Sequence, residues 1–289
     1  MRRAKEERKM RLGGTIAGSF HGPEEWERLL VASKFRAVTA PFTCHTPREE
    51  ITAYCEAAKR HDVLIAEVGV WKNVFDPDPA KAAAAMAYAK GQLALADERG
   101  IVCCVNIAGT AGSAGWDGAD ESNYTADTYD RIVSSVREII DDVKPKRSWY
   151  CLEPMPWMVP DGPEEYLQLI RDIDRPMFGA HMDFVNMINS PRRYLCADAF
   201  VEECFAKLGP YIKSTHIKDS HMDRMKLTTV LTECSPGEGE LDFTKVLRSI
   251  ERHLPADAPV LLEHMETFEE YAAAYGAIAA AAEKAGIAI

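Results

Sequence analysis

Short apolar runs alternate along the chain with longer segments in which apolar residues recur at helical spacing. This alternation repeats eight times and predicts eight strands, each followed by a helix. The predicted strands are 12–16, 37–40, 63–70, 102–107, 149–153, 177–183, 212–217 and 260–263. The predicted helices are 23–32, 47–61, 79–99, 125–143, 163–172, 198–208, 243–253 and 267–285.

The ends of these elements carry further signals. Thr267 is predicted to cap the last helix, and Glu269 and Glu270 stand in its first turn, where the helix dipole favours negative charge. Residues 109–123 are rich in Gly, Ser and Asp and are predicted to form a long loop. The polar stretch between the seventh strand and the helix at 243 is also predicted to be a loop.

Eight strand–helix units in 289 residues predict an α/β fold, a (β/α)₈ TIM barrel. An open doubly wound sheet also alternates, but it rarely needs eight units. No low-complexity linker or charge block divides the chain, so residues 1–289 are predicted to form a single domain. Residues 1–9 are expected to be an N-terminal extension of it.

Composition narrows the class of function. The formal net charge is −11, which disfavours nucleic acid and anionic membrane as partners. No apolar run approaches the ~20 residues of a membrane span, and the charged N-terminus lacks the apolar core of a signal peptide. The eight cysteines show no C-x-x-C spacing and are expected to be reduced. We expect a cytoplasmic enzyme that acts on a small molecule.

Four polar side chains stand at the ends of the last four predicted strands: Glu153, Asp183, His216 and Glu263. The chemistry of a barrel lies at the carboxyl ends of its strands, and neighbouring strands lie about 4.8 Å apart. These side chains are therefore predicted to meet. Three carboxylates and an imidazole suit a hard or borderline divalent cation.

Four stretches around these residues resemble the xylose-isomerase-like sugar phosphate isomerase/epimerase superfamily. They are Leu152-Glu153-Pro154, His181-Met182-Asp183-Phe184-Val185-Asn186, Thr215-His216-Ile217-Lys218-Asp219 and Leu262-Glu263-His264. The resemblance implies that the four residues bind one divalent metal, Mn²⁺ first and Mg²⁺, Co²⁺ or Zn²⁺ as alternatives. It also implies that Glu153 and Glu263 are the catalytic pair, which moves a proton beside a sugar carbonyl through an enediolate.

The sequence departs from the ketose 3-epimerases of that superfamily at two positions. Asn186 stands where they carry a substrate-contacting histidine, and Met222 where they carry an arginine. Related branches cleave 3-oxo-glycosides by elimination from the same enolate. A lyase is therefore the alternative to an isomerase or epimerase, and a second subunit is then a possible partner. A homo-oligomer is left open.

Other residues are candidates for contacting the sugar substrate. They lie on or near strand ends or on the loops that follow: His181, Asn186, Lys218, His221, Glu67, Asn106, Trp116 and Trp157. Tryptophans on such loops often stack on the apolar face of a sugar. Each of these residues also has an ordinary structural explanation, such as packing or a surface ion pair.

Three other functions agree less well with the sequence: a phosphate site, an endonuclease and a sugar-binding barrel without activity. The glycine-rich stretch 109–115 is a candidate phosphate loop but lacks a P-loop lysine. The endonucleases of the superfamily bind three zinc ions and need more histidines than the eight present here. A barrel that binds sugar without turnover is the non-enzymatic alternative, and lost metal ligands would be its mark.

Overall fold

The computed structural model describes residues 10–289, and the predicted extension of residues 1–9 lies outside the described residues. Eight parallel strands close into a barrel in the order β1-β10-β7-β6-β5-β4-β3-β2. The barrel strands are β1 (Arg11–Gly14), β2 (Ala37–Thr39), β3 (Leu64–Gly69), β4 (Cys103–Asn106), β5 (Trp149–Leu152), β6 (Phe178–Asp183), β7 (Ile212–Ile217) and β10 (Pro259–Leu262). The predicted TIM barrel is confirmed.

Helices surround the barrel and cover its outer face. They are α1 (Pro23–Ser33), α2 (Arg48–Arg60), α3 (Pro79–Arg99), α4 (Ala126–Val143), α5 (Pro163–Ile173), α6 (Phe184–Met187), α7 (Pro191–Leu195), α8 (Ala197–Leu208), α9 (Phe243–His253) and α10 (Phe268–Ala285). The eight predicted helices agree with the structure to within one residue at each end. The sequence prediction missed α6 and α7, which are too short to show a helical period. It also missed a 3₁₀ turn, Glu121–Tyr124, which begins in the predicted loop 109–123 and ends one residue beyond it.

Alternation along the strands decides which side chains enter the barrel. Residues two apart on a strand point to the same side, so His181 and Asp183 share one face of β6. Ser214 and His216 share one face of β7. These two strands pair with His181 opposite Ser214 and Asp183 opposite His216. Four polar side chains therefore stand together in the interior, where a TIM barrel usually has apolar ones.

The predicted loop after β7 is partly wrong. It contains an antiparallel hairpin of β8 (Asp219–Met222) and β9 (Leu231–Cys234), with Asp219 opposite Cys234. A two-stranded ribbon exposes much of its surface to water, so its polar composition concealed the strands. Asp219 holds the following loop in place, because its carboxylate accepts hydrogen bonds from the backbone N–H groups of Gly237, Gly239 and Leu241.

Among residues 10–289, no helix combines the length and the apolar composition that crossing a membrane requires.

The predicted cap at the last helix is confirmed and can be tested. The Thr267 hydroxyl accepts from the Glu270 N–H at 3.2 Å, and the Glu270 carboxylate accepts from the Thr267 N–H at 3.0 Å. We expect Thr267→Ala to lower the free energy of unfolding by about 1 kcal/mol, since one N–H at the helix end loses its acceptor. Urea unfolding measures this. Thr267→Ser keeps the hydroxyl and should retain most of the stability, and equal losses in both variants would contradict the capping role.

Candidate metal centre

Four neighbouring strands bring the candidate ligands together. In the barrel, β5, β6, β7 and β10 are consecutive, and they carry Glu153, Asp183, His216 and Glu263 at or just after their carboxyl ends. One ligand atom from each of these residues lies within 4.8 Å of those of the other three. The predicted convergence is thus present in the structure, and this buried group could hold a metal ion.

Asn186 fixes the orientation of two of these carboxylates. Its side-chain Nδ2 donates to Glu153 Oε1 at 3.2 Å and to the Pro154 carbonyl at 3.0 Å. Its backbone N–H donates to Asp183 Oδ1 at 2.9 Å, which caps the short helix α6. One oxygen of each carboxylate is therefore tied to Asn186. The other oxygens, Glu153 Oε2 and Asp183 Oδ2, face His216 and Lys218.

The two ring nitrogens of His216 face different carboxylates. Its Nε2 lies 2.9 Å from Glu67 Oε1 on β3. Its Nδ1 lies 3.0 Å from Glu263 Oε1 and 3.7 Å from Glu153 Oε2. The ring thus spans from a buried carboxylate behind it to the candidate ligands in front.

Lys218 supplies positive charge beside the cluster. Its ammonium lies 2.7 Å from Asp183 Oδ2 and 3.0 Å from Glu263 Oε2, and the side chain is 1% exposed. It also lies 3.3 Å from Glu233 Oε2 on β9. The lysine therefore contacts candidate ligands of the cluster directly.

Burial and neighbouring charges shift the pKa values of the acidic groups in opposite directions. Burial raises the pKa of Asp183 to about 6; the charges of Glu153 and Glu263 add to this, and Lys218 opposes it. Burial also acts to raise the pKa of Glu263, but the charges of His216 and Lys218 outweigh it and hold that pKa well below its usual value.

The basic groups respond to the same carboxylates. Burial acts to lower the pKa of His216, yet the charges of Glu263, Glu67 and Glu153 raise it well above its usual value. Burial likewise disfavours the charged form of Lys218, and the charges of Asp183 and Glu263 raise its pKa in spite of that. The centre therefore concentrates negative charge, which is the condition for binding a cation.

The unsatisfied atoms of the cluster fit a metal ion. Glu153 Oε2 is buried and makes no hydrogen bond, Asp183 Oδ2 has only its ion pair with Lys218, and His216 Nδ1 has only its 3.0 Å contact with Glu263 Oε1. Buried polar atoms without partners are costly. A divalent cation would satisfy them with the carboxylate and imidazole ligands that such ions accept.

The centre opens into a cavity of about 1360 Å³. Its wall includes Trp116 and Trp157, two of the predicted sugar-contacting residues, which are 43% and 37% exposed. The Trp157 indole donates to the Asp117 carbonyl at 2.7 Å, which joins the two loops that carry these rings. Asn186 and Lys218 also line the cavity.

Three other predicted contact residues lie in different surroundings. Asn106 is fully buried, and its amide pairs with the backbone N–H and carbonyl of Lys72. His221 lies on β8, outside the cavity wall. His181 is fully buried with its Nε2 on Glu67 Oε2 at 3.2 Å. Their proposed contacts with substrate stay predictions.

Sequence reasoning missed two residues beside the centre. Glu233, on the unpredicted strand β9, pairs with His264 Nδ1 at 2.6 Å. Strand alternation past Glu263 would point His264 outward, but it lines the cavity, and its Nε2 lies 3.3 Å from Glu263 Oε1. Its φ of 61° explains the difference, because a left-handed residue just beyond β10 leaves the strand alternation on which that expectation rested.

The protein is a TIM barrel with a buried cluster of three carboxylates and one imidazole that could hold a metal ion. Sequence comparison shows which family of such barrels it belongs to. The sequence profile of the xylose isomerase-like TIM barrel family matches residues 28–287. The chain therefore belongs to the xylose isomerase-like TIM barrel family. No curated protein matches the sequence at a significant level.

Solved structures share the fold at low sequence identity. An L-ribulose 3-epimerase superposes with a TM-score of 0.70 at 16% identity, covering 96% of each chain. A xylose isomerase-like protein from Mycobacterium smegmatis, in complex with magnesium, gives 0.69 at 15% identity, covering 96% of this chain and 97% of that one. A 3-keto-D-glucoside 4-epimerase from E. coli gives 0.68 at 13% identity, covering 94% and 100%.

Removing one ligand should test the metal centre directly. We expect Asp183→Asn to weaken Mn²⁺ binding at least about tenfold, because a charged ligand oxygen becomes neutral. Isothermal titration calorimetry measures the affinity. In the wild type, binding should be weaker at pH 5.5 than at pH 7.5, since a proton competes for Asp183, whose pKa lies at about 6.

Asp117→Asn is the matched control, because Asp117 lines the same cavity outside the four-residue cluster. It should bind Mn²⁺ as the wild type does. Unchanged affinity in Asp183→Asn would remove Asp183 from the ligand set.

Proposed function

We propose that this protein is a divalent-metal-dependent sugar isomerase or epimerase that moves a proton beside a carbonyl. The observation that carries the proposal is the convergence of Glu153 and Glu263 with Asp183 and His216 at the barrel mouth. Structural neighbours support it, since they include an L-ribulose 3-epimerase and a D-psicose 3-epimerase crystallised in the presence of D-fructose.

The four residues would hold one cation, with Mn²⁺ as the first choice. When bound, the cation supplies positive charge that stabilises the enediolate formed when the C–H beside a carbonyl loses its proton. Glu153 and Glu263 have the chemistry of the acid/base pair. One carboxylate removes the proton from carbon, and the other returns a proton to the opposite face, which inverts the stereocentre.

The surrounding residues prepare this pair for proton transfer. Asn186 holds Glu153 through one oxygen and leaves the other without a hydrogen bond. Lys218 donates to Glu263 Oε2, and the charges of His216 and Lys218 hold the pKa of that carboxyl well below its usual value, so the carboxylate is ionised and has lone pairs that can accept a proton. Lys218 and Asn186 also line the cavity, and their hydrogen-bond donors hold the surrounding carboxylates and the Pro154 carbonyl in place.

A lyase acting on 3-oxo-glycosides is the second candidate. The first step is the same, but the β-substituent then leaves with its bonding electrons and takes up a proton. The size of the cavity favours this candidate, because about 1360 Å³ exceeds the roughly 300–1,000 Å³ of typical small-molecule sites and leaves room beyond one sugar ring. The two exposed tryptophans in its wall offer flat apolar surfaces for such a substituent.

Incubation in D₂O with Mn²⁺ and a panel of ketopentoses, ketohexoses and 3-oxo-glycosides distinguishes these functions. Deuterium at a stereocentre with no released fragment identifies an epimerase, and deuterium transfer with a change of carbonyl position identifies an isomerase. A released aglycone identifies a lyase. Tight sugar binding with no deuterium uptake would replace the enzyme by a binding protein.

Replacing the proposed base gives a sharper prediction. We expect Glu263→Gln to lower turnover by at least about 100-fold, since the amide cannot accept the proton. Steady-state kinetics measures this, and circular dichroism checks that the fold is intact. The matched control is Glu266→Gln, an exposed glutamate three residues further on, which should keep wild-type turnover. Full activity of Glu263→Gln would exclude Glu263 as the base.

A further inference from the structure

Glu67 reaches the metal centre from another part of the barrel. It lies on β3, which is separated from β7 by three strands in one direction and by β2, β1 and β10 in the other. The side chain crosses the barrel interior and is 2% exposed. Burying a carboxylate is costly unless it is paired and hydrogen-bonded. The hydrogen-bond partners of Glu67 therefore indicate its role.

Three donors occupy the two oxygens of Glu67. His216 Nε2 lies 2.9 Å from Oε1. Ser214 Oγ donates to Oε2 at 2.8 Å, and His181 Nε2 lies 3.2 Å from the same oxygen. An ionised carboxylate only accepts hydrogen bonds. Both imidazoles must therefore carry a proton on Nε2 in this arrangement.

The hydrogen bonds at Nε2 determine which atoms face the candidate ligands. With Nε2 committed to Glu67, His216 Nδ1 lies 3.0 Å from Glu263 Oε1 and 3.7 Å from Glu153 Oε2, and His181 Nδ1 lies 3.9 Å from the same Glu153 oxygen. The two rings stand edge to face, with centroids 4.1 Å apart. Rotation of either ring would break its bond to Glu67 and remove its Nδ1 from the centre.

We propose that Glu67 is a positioning residue that selects Nδ1 of His216 as the metal-binding atom by holding the proton on Nε2. The proposal rests on the proposed metal centre and gives Glu67 a different role from the substrate contact expected from the sequence. Such carboxylate–histidine–metal arrangements fix the tautomer and orientation of the ligand ring. The shared carboxylate also aligns His181 behind Glu153.

The Glu67→Gln variant distinguishes a positioning role of Glu67 from a packing role, because glutamine has the same shape but a different set of donors and acceptors. Two donors, Ser214 Oγ and His181 Nε2, lie at the Oε2 position and one, His216 Nε2, lies at Oε1. We therefore expect the amide oxygen to take the Oε2 position and the NH₂ group to face His216. Where NH₂ faces His216 Nε2, the proton moves to Nδ1 and blocks it. We expect Mn²⁺ affinity, measured by isothermal titration calorimetry, to fall about 10- to 100-fold.

Ser214→Ala is the matched control. It removes one hydrogen bond to Glu67 Oε2 and leaves the bond at Oε1 to His216 in place, so Mn²⁺ affinity should change by less than about threefold. A Glu67→Gln variant that is less stable but binds Mn²⁺ within about twofold of the wild type would show a purely structural role and overturn the proposal.

A second measurement needs no variant. Long-range ¹H–¹⁵N spectra of the wild-type protein with Zn²⁺, which is diamagnetic, report the protonation of each histidine nitrogen. We expect the His216 signals to show a protonated Nε2 and a metal-shifted Nδ1. A metal-shifted Nε2 would overturn the assignment even if Glu67→Gln does not fold. If the wild type binds neither Mn²⁺ nor Zn²⁺, the metal centre itself fails and this proposal falls with it.

Discussion

The arrangement of the barrel interior depends on balancing the negative charge of its buried carboxylates. Glu67, Glu153, Asp183 and Glu263 bring four carboxylates to one end of the barrel, and three of them are at most 3% exposed. Carboxylates so placed repel one another and lose hydration. Lys218 and His216 offset part of this charge, but Glu153 Oε2 still has no hydrogen bond. A bound divalent cation is the simplest way to balance the remainder.

Lys218 would affect the binding of that cation in two opposite ways. Its ammonium touches oxygens of Asp183 and Glu263 that are also candidate ligand atoms. A lysine at this distance keeps the carboxylates ionised, and it also repels a second positive charge. The oxygen of each carboxylate that turns to the lysine is therefore less available to the metal.

The sequence predicted the parts that depend on short-range pattern. Strand period and strand-end position located Glu153, Asp183, His216 and Glu263, because one rule, the convergence of strand ends, applies to all four. Glu67 was noticed at a strand end, but its partners lie nearly 150 residues away, at Ser214 and His216. No local pattern encodes a contact across a closed barrel, since it depends on which strands face each other after closure.

The hairpin shows a second limit. Glu233 reaches Lys218 and His264 only because β9 folds back over the barrel mouth. That fold-back depends on pairing between two polar segments, and alternation of apolar residues does not reveal it. The four stretches that carry the family resemblance stand at strand ends, and they do not include β9. Connecting segments such as this hairpin differ most among barrels that share one fold.

The two proposed reactions, epimerisation and elimination, would share their first proton transfer and differ in the step that follows. Both reactions form the same negatively charged intermediate, so the ligands and the base cannot distinguish them. What differs is whether a group beside that intermediate can leave and be protonated. Asn186 cannot donate a catalytic proton, since a neutral amide is too weak an acid, and it is committed to Glu153 and Pro154. A leaving group would have to take its proton from Glu153, from the Glu233–His264 pair or from water. Under the proposed function, that requirement would make the cavity wall around β9 and His264, rather than the candidate metal ligands, the part of the molecule that determines the outcome of the reaction.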